Sequence, residues 1–186
     1  GPVVDNSMGF TPLEGLVMGT RCGDVDAGAL EYLSKKENLD FPQIMSILNQ
    51  ESGVLGISKN LSSDFRELKD AEIKYNDTAA LAREIFAYRV AKYIGSYAAA
   101  MNGVDNIVFT AGVGENDSDI REEICSYLEF LGITIDEVKN REQGEAVRIS
   151  DGTSRVNVLV IKTNEELEIA REAAELVNSL QGRPKM

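Results

Sequence analysis

Apolar side chains recur along this chain in two rhythms: three- and four-residue steps in its longer segments, and unbroken runs in two short ones. From Asp77 onward, Leu81, Ile85, Tyr88, Ile94, Tyr97, Ala98 and Met101 keep helical steps, which predicts one long helix with these residues on one side and Asn102-Gly103 as its stop. A second such series, Ile120, Ile124, Tyr127, Leu128 and Leu131, predicts an inward helix face closed by Gly132. The runs Ile107-Val108-Phe109-Thr110 and Val156 to Ile161 are too short for helices and read as buried strands.

Shorter helices are expected over Thr11 to Met18, with Pro12 in the first turn, over about Asp26 to Lys36, over Phe41 to Gln50 and over Asp64 to Ile73. A last one runs from Leu167 to Leu180, while the Gly-, Ser- and Asn-rich stretch Glu51 to Ser63 reads as loop. Helix, strand, helix, strand, helix in that order predicts an α/β layer with parallel strands. No repeat, low-complexity tract or Pro-rich linker divides the 186 residues, so one domain, or most of one, is expected.

Charge and composition narrow the chemistry. A net charge of −12 argues against a surface that tracks nucleic-acid phosphates or anionic lipid. A local anion site remains possible, because backbone N–H groups or one placed Arg can make it. Cys22 and Cys125 form no C-x-x-C pair, and the chain has no histidine, which removes the commonest general base and metal ligand. No apolar run approaches the length of a membrane helix, and no signal-peptide pattern opens the chain, so a cytoplasmic protein is expected. Gly1-Pro2 reads as a protease-cleavage scar, which leaves 3–186 as the expected domain.

Two strand-to-helix junctions carry candidate chemistry. In Phe109-Thr110-Ala111-Gly112-Val113-Gly114-Glu115-Asn116, two glycines allow close backbone approach, and the following helix start favours an anion such as a nucleotide phosphate. The alternative is a tight turn that uses Gly for positive φ. Asn116 suits either a helix cap or a ribose or phosphate contact, and Asp119 with Glu122 has capping-box spacing. After the second strand, Thr163 and Glu166 again fit a capping box. That leaves Glu165 as a carboxylate facing Mg²⁺ through water, or as an acid favoured by the helix dipole.

The block Asp5-Asn6-Ser7-Met8-Gly9-Phe10-Thr11-Pro12-Leu13-Glu14-Gly15-Leu16-Val17-Met18-Gly19-Thr20-Arg21-Cys22-Gly23 resembles a signature of the acetate kinase family. The resemblance continues in order through Ser62 to Arg66, Phe109 to Asn116 and Thr163 to Leu167. It implies the C-terminal, nucleotide-binding domain of a two-domain kinase of the actin and sugar-kinase (ribonuclease H-like) type. That enzyme would move the γ-phosphoryl of ATP to acetate, giving ADP and acetyl phosphate.

Carried onto this sequence, the resemblance makes Arg21 the contact to the transferring phosphoryl group, where a fixed guanidinium can neutralise transition-state charge. It makes Pro12 part of the pocket for the acetate methyl, and Asp64, Phe65 and Arg66 adenosine contacts. Gly112, Val113, Gly114, Glu115 and Asn116 become the remaining nucleotide contacts, and Glu165 the Mg²⁺-associated carboxylate. Without the resemblance, Arg21 would be a surface Arg paired with Asp24 or Asp26. Likewise Asp64 would be a cap and Phe65 a core anchor. Ala27 and Asn6 depart from the family's common proline and threonine. The family's N-terminal phosphate loop, acetate-binding arginine, catalytic aspartate and histidines belong upstream. The expected partners are therefore the N-terminal half of the same enzyme and, as in the family, a second copy in a homodimer. Competing readings are a propionate or butyrate kinase of the same family, and a non-enzymatic nucleotide-binding or dimerisation module.

Overall fold

The computed structural model describes the chain from residue 2 to residue 181, with side chains to residue 177. Gly1 of the expected scar and residues 182–186 of the expected domain lie outside the described residues. After an irregular N-terminal stretch come helices α1 (Ala27–Glu37), α2 (Phe41–Gln50), α3 (Gly53–Ile57), α4 (Phe65–Ile73) and α5 (Asp77–Ala100). Strand β1 (Asn106–Phe109) leads into α6 (Ala111–Asn116), α7 (Ser118–Ser126), a 3₁₀ turn at Glu129–Leu131 and α8 (Glu137–Asn140). Strands β2 (Ala146–Arg148) and β3 (Asn157–Ile161) and helix α9 (Glu165–Gln181) complete the order.

Local chemistry explains where several of these begin. Asp40 and Gln43 form a reciprocal capping box at α2, with Pro42 in its first turn. Asp26, Asp64 and Asn76 each accept a backbone N–H at the starts of α1, α4 and α5. The 3₁₀ turn stops at Gly132, whose φ of 77° is the left-handed conformation glycine adopts without penalty.

The sheet order is β1-β3-β2. Strands β1 and β3 run parallel, from Asn106 opposite Asn157 to Phe109 opposite Val160. The two expected strands are thus parallel as expected, and β2, which was not expected, pairs antiparallel with β3 and makes the sheet mixed. Three residues flanked by polar sequence give too short an alternation to announce a strand.

Two apolar clusters meet on α5. One joins the sheet to α7 through Ile107, Phe109, Ile120, Ile124, Leu128 and Val158. The other gathers Val54, Leu68, Ala79 and Ala82. Half-buried Phe86 packs against both. The face of α5 that does this is not the one that carries the periodic series from Leu81 to Met101. Its buried apolar residues are Ala79, Ala82, Ala87, Ala91 and Ala98, whereas Leu81, Tyr88 and Met101 are exposed. Helices α3, α4 and α7 all pack on α5, and small side chains let neighbouring backbones approach it closely. Of that series only Ala98 is buried, and Tyr127, expected inward, is exposed just past the end of α7.

Two further expectations are corrected. Residues 11–18 form turns, not a helix: Gly15 has φ of 100°, and its N–H is held at 3.0 Å by the carboxylate of Asp24. A Cβ at Gly15 would stand 2.0 Å from the Ser7 carbonyl oxygen, so the crossing there demands glycine. The stretch Glu51 to Ser63 is not loop throughout, since α3 occupies its middle.

Candidate functional site

Strands β1 and β3 end side by side, and each feeds a helix after a short turn. Ligand sites of α/β sheets gather at such strand ends. Two hollows open here. The first, about 670 Å³, lies between the start of α4, with Asp64, Phe65 and Arg66, and the α6 segment with Gly112, Val113 and Asn116. The second, about 600 Å³, runs from Gly112, Glu115 and Asn116 to Thr163 and Glu165. Gly112 and Asn116 line both, which makes the hollows adjoining parts of one groove.

In the first hollow Phe65 offers a half-buried ring, held edge-on against Phe86 with centroids 4.5 Å apart. Asp64 caps α4 through the Arg66 N–H at 2.8 Å and pairs with the Arg66 guanidinium at 2.7 Å. That guanidinium pulls the Asp64 carboxyl down to about 2. Lys69 and Asp70 line the same wall, as does Asp117 opposite. Lys69 is itself engaged, at 2.8 Å from Asp119 and 3.6 Å from Asp117. The cations of this hollow are thus already neutralised, which suits an uncharged, flat group better than a phosphate.

Gly112 and Gly114 belong to the short helix α6, and neither has positive φ; that conformation falls on Ala111, at 58°. The tight-turn alternative for these glycines is thereby overturned. A Cβ at Gly112 would meet nothing within 4 Å, so its bare backbone faces open space. At Gly114 the corresponding atom would sit 3.4–3.5 Å from Phe109, so that glycine serves close helix-on-strand packing, and it lines neither hollow. Arg121 closes α6 by donating to the carbonyls of Gly114 and Glu115 at 2.9 and 3.0 Å. Asn116 donates its amide to the Gly112 carbonyl at 2.8 Å. Both expected capping boxes are corrected. Asp117, not Asp119, accepts the Ile120 N–H at α7, and Asn164, not Thr163, accepts the Leu167 N–H at α9.

Glu115 and Thr163 connect the two turns. One carboxylate oxygen of Glu115 accepts from the Ala111 N–H, the Thr163 N–H and the Thr163 hydroxyl, at 2.7, 2.8 and 2.9 Å. The Thr163 donors hold the Glu115 carboxyl below the usual carboxylate range. Glu165 stands exposed at the first position of α9. The second hollow contains Glu115, Glu165 and Glu166 and no Lys or Arg among its lining residues. A polyphosphate would therefore enter it only with a cation. No cluster of three or more metal-binding side chains occurs among the described residues, so Glu115, Glu165 and Glu166 form no cage for a metal, and an ion here would keep most of its water.

Arg21 and Pro12 are brought to neither hollow. Both are exposed on the N-terminal stretch. The pairing of Arg21 with Asp24 or Asp26 is corrected: Asp24 binds Arg89, the Tyr93 hydroxyl and the Gly15 N–H, and Asp26 caps α1. The Arg21 guanidinium contacts only the Met18 sulfur, at 3.6 Å, among the described residues. Sequence reasoning missed Lys69, Asp70 and Asp117 as hollow-lining residues. Lys69 and Asp119 are far apart along the chain, so no local spacing could have linked them.

The fold defines an α/β domain with an open groove across the ends of its two parallel strands. The profile of the Acetokinase family matches residues 1–171, and the chain belongs to that family. It is 55% identical to an acetate kinase of Lachnoclostridium phytofermentans over 95% of its own length, but over 45% of that protein. The acetate kinase structure from Porphyromonas gingivalis superposes with a TM-score of 0.86 at 47% identity, covering 92% of this chain and 43% of that one. A propionate kinase structure from Francisella tularensis gives 0.83 at 44% identity, covering 89% and 42%. The chain thus spans about half the length of the relatives it matches, and its fold is theirs, of the actin and sugar-kinase type.

Proposed function

We propose that this chain is the nucleotide-holding C-terminal domain, residues 3–186, of an acetate kinase, which moves the γ-phosphoryl of ATP to acetate and yields ADP and acetyl phosphate. The observation that carries the reading is that two segments far apart in sequence, Asp64–Arg66 and Gly112–Asn116, meet around one groove that continues to Glu165. Phe65 and Val113 offer apolar surface to the adenosine, and the paired Asp64 and Arg66 flank it. Gly112 lets the nucleotide pass close to the backbone between the two hollows. Glu165 would hold Mg²⁺ through water, and the ion would neutralise charge on the phosphates.

Arg21, which pairs with no carboxylate among the described residues, is the contact to the transferring phosphoryl group, and Pro12 belongs to the acetate pocket. Both act on the side completed by the N-terminal half of the enzyme. A cytoplasmic homodimer accompanies this reading. No helix among the described residues is long and apolar enough to cross a membrane. Exposed Leu81, Tyr88 and Tyr127, with Ile85, form a largely apolar patch, interrupted by Glu84, that a second copy would cover.

The test is hydroxylamine trapping of acyl phosphate made by the full-length protein from ATP, Mg²⁺ and a series of short acids. Acetyl phosphate is expected, and no acyl phosphate from any acid would overturn the reading. The likeness to the Francisella propionate kinase favours a second reading with propionate, which the same series decides. One methylene is worth only about 1–3 kcal/mol of discrimination. The isolated chain should consume no ATP in response to acetate, and robust acetyl phosphate formation by it alone would refute the split site.

A further inference from the structure

We propose that Glu115 is a positioning residue: its carboxylate ties the turn after β1 to the turn after β3 and so sets how Gly112 and Asn116 stand relative to Glu165. The inference rests on reading the two hollows as one nucleotide site. The two strands are held in register only as far as Phe109 opposite Val160, and beyond that pair the chain leaves the sheet. Among the described residues, the hydrogen bonds that join the two turns both end on the same oxygen of Glu115, from the N–H and the hydroxyl of Thr163. The third donor to that oxygen is the N–H of Ala111.

Ala111 gives this tie a second purpose. It holds φ of 58° without being glycine, a left-handed conformation that L-residues rarely adopt. It is also the residue at which β1 turns into α6. The carboxylate that fixes the Ala111 N–H therefore fixes the direction in which Gly112, Val113 and Asn116 leave the sheet. Arg121 grips the other end of α6 through its last carbonyls, so the segment is held at both ends. Glu115 thereby acts on the ligand through α6 and Thr163, and not as the nucleotide contact expected from the sequence.

The experiment compares Glu115→Ala, Glu115→Gln and Thr163→Val with the parent in the full-length protein, reading KM for Mg·ATP, kcat and Tm. Glu115→Ala should raise KM about tenfold or more, the range seen when partners that orient a ligand-holding group are lost. Glu115→Gln keeps an oxygen acceptor and should stay near the parent, and Thr163→Val should shift KM in the same direction by less. Should Glu115→Ala fail to fold, the Thr163→Val shift with Gln tolerated supports the tie by itself. A Gln variant as impaired as the Ala variant would overturn the proposal in favour of a direct charged contact. A lowered Tm with unchanged KM would overturn it in favour of a purely structural role. A parent protein that binds no nucleotide would refute the site reading itself, whereas loss of affinity in Gly112→Ala without loss in Glu115→Ala would leave the site standing and sink only the tie.

Discussion

Arg83 and Asp117 form a buried ion pair, Nη1 to Oδ2 at 2.6 Å, directly behind the hollow lined by Phe65 and Gly112. Arg83 comes from the first third of α5, and Asp117 also caps α7. Burial pushes the Asp117 carboxyl up, but the Arg83 guanidinium outweighs it, and the net position is below the ordinary 3.8. A carboxyl depressed on folding contributes stability that is present above its unfolded value and lost as pH falls through its folded value. Asp117→Asn should therefore cost about 3 kcal/mol at neutral pH, at the low end for a broken buried pair because Glu72 still faces Arg83. It should also flatten the loss of stability below about pH 4. Urea midpoints followed by circular dichroism across pH check both, and a parallel acid limb in the variant would count against the pair.

Gly112→Ala tests the groove without disturbing the fold. The glycine has an ordinary helical φ and open space where the methyl would go, so Tm should hold or rise slightly. Affinity for ATP should fall about tenfold, equivalent to about 1.4 kcal/mol, and further with Gly112→Val. Titration calorimetry on the full-length protein that found unchanged affinity in both variants would remove Gly112 from the site.

Arg21→Ala should act on turnover. The side chain is exposed and pairs with no carboxylate among the described residues, so it can go without leaving a buried charge behind. Because its proposed contact strengthens as the phosphoryl moves, kcat should drop about a hundredfold or more while KM for ATP changes little. Steady-state kinetics separate the two, and a change confined to KM would make Arg21 a ground-state binding residue.

Tyr88→Glu should yield monomers. Its ring stands edge-on to Tyr127 at 5.6 Å on the exposed, largely apolar patch, and a charge there opposes burial against a second copy. Light scattering at micromolar concentration should show the parent as a dimer and the variant at half its mass. A parent of monomer mass would refute the dimer.

Much of this architecture can be read from residues acting locally. Helix α2 keeps the expected Phe41–Gln50 bounds because Asp40, Pro42 and Gln43 all signal the same start. Strands β1 and β3 stand out because their apolar runs are brief and bounded. The misses share a cause. Where two capping candidates stand close together, as Asp117 with Asp119 or Thr163 with Asn164, spacing alone cannot choose between them. A distant partner decides: Lys69 takes Asp119 and Glu115 takes Thr163. The helix expected at Thr11 to Met18 fails for the same reason, because Asp24 claims the Gly15 N–H from nine residues away. In the groove, Asp64–Arg66 and Gly112–Asn116 were legible as segments, while Lys69, Asp70 and Asp117 line it only through tertiary packing.

The alanine side of α5 bears on how this sequence can drift. Hydropathy ranks Leu81, Ile85 and Tyr88 as the residues that matter on that helix, yet Ala79, Ala82 and Ala87 have no exposed surface at all. A methyl group fits there because nothing larger does, and adding bulk to such a position costs about 1–3 kcal/mol. A substitution-tolerance profile of α5 should accordingly place these alanines beside Phe86, which packs on both clusters, as its least replaceable residues. Exposed Leu81 and Tyr88 should be free to vary wherever no second copy claims them.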